Sequence, residues 1–162
     1  MLKHREHIAI TIVAAGLVAA VVEMLLVLPI QYKLGATPDV VFQSIASGAL
    51  GKRAFHDGLY TVVLGIGFHV LISLCAAAAF LLVAMRWSVV RRHWALSGML
   101  FGIFVYVVMT FVVIPLSAIG FSMPRSLGRF LMSFSIHIFA FGLPIALVCR
   151  FFVRRYQPSR SP

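Results

Sequence analysis

Four runs of apolar side chains, Ile8 to Ile30, Thr61 to Met85, Trp94 to Ile119 and Leu131 to Val153, occupy most of this 162-residue chain. A helix rising 1.5 Å per residue needs about 20 residues to cross the hydrocarbon of a bilayer, and each run is long enough. Inside lipid a segment has no water to satisfy its backbone N–H and C=O groups, so such runs must be helical. The expectation is an all-α integral membrane protein. Its fold is an antiparallel four-helix bundle, one domain over residues 1–156 with helices near 8–30, 61–85, 94–119 and 131–153.

Composition points the same way. Hydrophobic residues make up 62% of the chain and charged ones only 11%, against about 25% charged in a soluble domain. The formal net charge of +10 raises the question of nucleic acid. Lys and Arg, however, sit in short clusters at the ends of the apolar runs, where they meet lipid headgroups and set topology. No basic–aromatic interleaving is present, so no nucleic-acid partner is expected and the bilayer is the main one. Cys75 and Cys149 lie in apolar stretches with no CxxC or zinc spacing, and read as small apolar residues.

The first run follows Met1-Leu2-Lys3-His4-Arg5, as a signal peptide would. It is too long for an h-region of about 7–15 residues and lacks a clean small-x-small cleavage site, so it is expected to be a retained helix. Four spans place both termini on one side with Lys3, Arg5, Arg86, Arg91, Arg92, Arg150, Arg154, Arg155 and Arg160. Lys33, Lys52, Arg53, Arg125 and Arg129 fall on the other. The nine-to-five split makes the termini cytoplasmic by the positive-inside rule.

Gln31 to Tyr60 is the only sizeable loop. Within it Thr37-Pro38-Asp39 reads as an N-cap followed by proline at the first helical position. Val41, Phe42, Ile45, Ala49 and Leu50 recur at helical spacing, and Gly48 and Gly51 can end the segment. Too short to span, it is expected along the outer interface or folded back over the helix ends. Gly120, Pro124 and Gly128 punctuate the last turn, and the tail 157–162 is expected to be disordered.

Ionisable groups inside hydrocarbon are expensive, so each demands a reason. Glu23 in the first helix, His69 in the second and His137 in the fourth all fall roughly 9–12 Å inside the outer boundary, counted by helical rise. Thr110 in the third helix falls at the same level. Residues three or four apart share a helix face. Glu23 therefore lies on the face of Gly16 and Ala20, and His69 on that of Gly65, Ser73 and Ala77. Thr110 shares a face with Gly98, Gly102 and Tyr106, and His137 lies near that of Ser133 and Pro144. Small residues mark faces where membrane helices approach closely, so the four polar groups are expected to form one layer inside the bundle.

Three roles suit such a layer. The first is structural: intramembrane polar contacts contribute only about 0.6 kcal/mol each, yet they fix helix register. The second is a transition metal bound by His69, His137 and Glu23, or a haem held between the two histidines. The third is a proton or ion path. No nucleophile–base pair, HExxH or phosphate loop is present, so no catalysis and no catalytic residues are expected. Pro29, Pro115 and Pro144 fall within or at the ends of helices and are expected to kink them.

Gly67-Phe68-His69-Val70-Leu71-Ile72-Ser73 resembles the second helix of the YagU-like bacterial inner-membrane proteins. Ser97-Gly98-Met99-Leu100-Phe101-Gly102 and Ile114-Pro115-Leu116-Ser117 are similar to their third helix, and His137 matches a histidine in their fourth. The resemblance covers three of the four helices. The acidic, proline-rich stretch that follows the family's first helix is replaced here by Gln31-Tyr32-Lys33-Leu34-Gly35. The resemblance implies a small multi-spanning protein of a bacterial inner membrane with no established biochemical activity. The functional expectation is a non-enzymatic structural or accessory membrane protein, working in a homo-oligomer or beside a larger membrane partner.

Overall fold

The computed structural model describes residues 2–120 and 126–156, with the side chains of 5–120 and 126–152. Expectations that rest on the side chains of Lys3, Pro124, Arg125, Arg154, Arg155 and Arg160, and on the tail 157–162, lie outside the described residues. The protein is an all-α bundle whose four long helices are apolar enough to cross a membrane. The spans are Arg5–Lys33, Gly58–Arg86, Trp94–Leu116 and Leu127–Phe152. This is a multi-pass membrane protein.

Three of the four spans run past the expected ends into polar flanks. Helix α1 is Leu2–Lys33, and helix α3, the second span, is Gly58–Arg86. Lys33 and Arg86 sit in the last turns of these helices, where cations complement the helix dipole and long stems let the charges reach the headgroups. The third span instead stops at Leu116, three residues short of the expected Ile119. Ser117 adopts an extended conformation there, and its Oγ donates to the Ile114 carbonyl at 2.7 Å. The fourth span begins at Leu127 because Ser126 caps it, its Oγ accepting from the Arg129 N–H at 3.3 Å.

Helix α2, Pro38–Leu50, starts where Thr37-Pro38 indicated and ends at Gly51. Gly51 has φ +59°, a left-handed conformation that costs glycine little and other residues more. Gly48 does not end the helix. It lies within α2, and its carbonyl accepts from the Ala118 N–H at 2.9 Å, tying α2 to the end of the third span. The other flank of α2 packs on α3. Gln43 and Ser47 are buried in this contact, and the Ser47 hydroxyl is satisfied by the Ser44 carbonyl at 2.6 Å. The segment is therefore a short helix folded back against the bundle.

Small residues set the helix contacts. A Cβ on Gly16 would lie 2.9 Å from Leu74 Cα, and one on Gly98 would lie 2.7 Å from the Ala146 Cβ. One on Gly102 would collide with the His137 carbonyl. The first span thus meets the second at Gly16, and the third meets the fourth along the Gly98–Gly102 step, as small-xxx-small packing allows. On α3 the buried positions Thr61, Gly65, His69, Ser73 and Ala77 recur every four residues.

Two interruptions are π-helical turns, Met109–Val113 in the third span and His137–Gly142 in the fourth. Each lies just before a proline, Pro115 and Pro144. A proline has no N–H for the carbonyl four residues back and its ring crowds that carbonyl, which is Phe111 for the first and Ala140 for the second. Widening the preceding turn relieves the crowding. π-turns of this kind often accompany functional sites. Pro29, by contrast, lies inside an uninterrupted α-helix.

The packed core fills the half of the bundle nearer the termini. It contains Ala15, Ala19, Phe80, Leu81, Ala84, Phe141, Ile145, Ala146 and Cys149. The opposite half contains a cleft.

Candidate functional site: a His–Glu–His cleft

Glu23 is 7% exposed and His69 is 9% exposed, while His137 is half-buried. The carboxylate stands between the two imidazoles. Glu23 Oε2 is 3.8 Å from His69 Nε2, and Glu23 Oε1 is 3.8 Å from His137 Nε2. The three side chains come from three spans, each from the face with small residues. Thr110 is buried too, within the π turn of the third span, but it is not among the residues lining the cleft.

The contacts of 3.8 Å exceed hydrogen-bonding distance, which for N–H···O is about 2.7–3.2 Å. Both rings are instead oriented by backbone. His69 Nε2 lies 3.2 Å from the Ala20 carbonyl, which requires the proton on that nitrogen. His137 Nδ1–H donates to the Ser133 carbonyl at 2.9 Å. A neutral His137 thus presents Nε2 as a free acceptor toward Glu23. Histidines that ligate metals are commonly held in this way, one nitrogen on a carbonyl and the other free.

These groups line a partly open cleft of about 260 Å³. Ser44 and Ile45 of α2 form part of its wall, so the folded-back helix completes the site. Met24, Met109 and Met132 also line it, and sequence reasoning about ionisable groups overlooked them. Their signal was available. Met24 adjoins Glu23, Met109 adjoins Thr110, and Met132 lies five residues before His137. At about 260 Å³ the cleft is below the roughly 300–1,000 Å³ range of sites for drug-sized ligands, and too small for a haem. Among the described residues, no three of His, Cys, Asp and Glu are grouped so as to hold a metal ion.

Beyond the cleft, Tyr106 packs edge-on against His137, with ring centroids 5.4 Å apart. It makes similar contacts with Phe130 and Phe134. Its hydroxyl is buried without a hydrogen-bond partner among the described residues. At the termini end, Arg91 donates to the Ala84 and Met85 carbonyls at the end of α3. Arg150 stands 5.0 Å over the Trp94 ring. These are contacts of helix ends and interface aromatics, and they lie in the half of the bundle away from the cleft.

No protein-family model, no curated protein and no solved structure matches this chain.

Proposed function

We propose that this chain is a non-enzymatic accessory protein of a bacterial inner membrane, with cytoplasmic termini, that binds a small ligand between Glu23, His69 and His137. The observation that carries this reading is the pair of 3.8 Å separations around one carboxylate. Side chains that merely pinned helices together would meet at hydrogen-bonding distance. These three are spaced around a cleft, and backbone carbonyls hold the two imidazoles. A continuous ion path is the weaker reading, because Phe80, Leu81, Phe141 and Ile145 fill the bundle nearer the termini. The bacterial inner membrane is supported by the YagU-like resemblance, and the orientation by the nine-to-five division of basic residues.

The test needs no ligand. A carboxylate kept inside a membrane for binding costs stability, so neutralising it leaves the fold as stable or more so. Thermal unfolding of Glu23→Gln in mild detergent is expected to show an unchanged or raised Tm. A fall of about 3 °C or more, roughly 1 kcal/mol for a domain of this size, would mean that Glu23 pins the helices, and would overturn the reading.

A further inference from the structure

We propose that the cleft binds a soft monovalent cation, Cu(I), through His137 Nε2 and the thioethers of Met24, Met109 and Met132, with Glu23 balancing the charge. The proposal rests on the cleft being a binding site, as above, and names its ligand class.

Three observations support it. The first is the donor set. Three of the chain's seven methionines, each from a different span, line one cleft together with an imidazole nitrogen free to coordinate. Thioether and imidazole donors favour Cu(I), whereas carboxylate and water favour the harder ions.

The second is charge. Among the described residues lining the cleft, Glu23 is the only carboxylate, and one negative charge neutralises one positive charge. A divalent ion would leave a net charge in a low-dielectric layer, which is costly. The third is mobility of the donors. Methionine has three rotatable bonds and a polarizable sulfur, so the side chains can turn toward an ion without moving the helices. His69 already uses its Nε2 proton on the Ala20 carbonyl, and so is left out of the donor set.

The experiment uses the full chain in mild detergent under reducing conditions. Cu(I) is titrated against a colorimetric chelator, with Ag(I) as a redox-inert second probe. One ion per chain is expected. His137→Ala, and separately the combination Met24→Leu, Met109→Leu and Met132→Leu, are each expected to weaken binding at least tenfold. Leucine conserves the volume of methionine and removes only the sulfur. X-ray absorption of the Cu(I)-loaded wild type, which needs no variant, is expected to show both sulfur and nitrogen neighbours.

Failure of the folded wild type to bind either ion overturns the proposal. So does a triple methionine variant that binds as tightly as wild type, or a copper shell without sulfur. A Glu23→Gln variant of unchanged Tm beside a wild type that binds no Cu(I) would leave the binding cleft standing and remove copper from it. A destabilised Glu23→Gln would remove the cleft reading itself.

Discussion

Gly65 and Phe42 are in backbone contact: a Cβ added to Gly65 would collide with the Phe42 carbonyl group, its carbon only 2.7 Å away. Helix α2 therefore sits on the bare backbone of α3, one turn before His69. Backbone cannot yield as a side-chain tip can. Gly65→Ala is expected to destabilise the protein by about 1–3 kcal/mol, the usual cost of overpacking. Gly67, which has open space around it, is the control, and Gly67→Ala is expected to be neutral or slightly stabilising. Denaturation of both variants in the same detergent decides the matter.

The docking of α2 onto the third span can be trapped covalently. A Cβ on Gly48 would lie 3.9 Å from Ser117 Cβ, close to the mean of about 3.8 Å across a disulfide. In a chain with Cys75 and Cys149 replaced by alanine, Gly48→Cys with Ser117→Cys is expected to form an intramolecular disulfide on mild oxidation. A mobility shift on non-reducing gels that reverses with reductant reports it. A pair that stays reduced would mean that α2 does not rest against the third span.

The Tyr106 hydroxyl is buried without a partner among the described residues, and such a group costs about 1–3 kcal/mol. Removing it leaves the edge-on ring contacts with Phe130, Phe134 and His137 intact. Tyr106→Phe is therefore expected to raise Tm by a few degrees. A lowered Tm would show that the hydroxyl is bonded.

Asp39 provides a pH-dependent contribution at the start of α2. The Thr37 hydroxyl, donating to its carboxylate, is the main cause of a pKa below the usual carboxylate range; desolvation opposes it, and the Asp39 and Val40 N–H groups add to the lowering. A lowered pKa means that the folded state favours the charged form. Its contribution is present above the unfolded value, about 3.9, and is lost as pH falls through the lower folded value. Asp39→Asn is expected to lower Tm slightly at neutral pH, with the difference from wild type vanishing in strong acid. A difference that persists at low pH would show that charge is not the cause.

Much of this architecture can be read from residue spacing, because lipid leaves a long apolar run little choice but a helix. The Thr37-Pro38 start of α2 was equally legible, since capping is local chemistry. The seat of α2 was not. Gly65 and Gly67 are the same residue two positions apart on one helix, and only tertiary contact separates the glycine under Phe42 from the one in open space. The π turns were hidden for a similar reason. Pro115 and Pro144 announced distortion, but the choice between a kink and a widened turn depends on what packs alongside. Helical counting placed Glu23, His69 and His137 at one depth on three helices. It also placed Thr110 there, and could not show that the widened turn at Met109–Val113 leaves Thr110 off the cleft wall.

The cleft occupies one half of the bundle and the packed core the other, which makes the molecule electrically one-sided. A site roughly 10 Å into a hydrocarbon layer of about 30 Å lies about a third of the way through the membrane field. Moving one charge through the whole field is worth about 2.3 kcal/mol per 100 mV. A monovalent cation entering from the cleft side would feel about 0.8 kcal/mol of that, or about fourfold in affinity. In the proposed orientation, with the termini cytoplasmic, an inside-negative potential would draw the ion inward, onto a floor that lets it go no further. Occupancy would then rise and fall with the energised state of the membrane as well as with the ion's concentration.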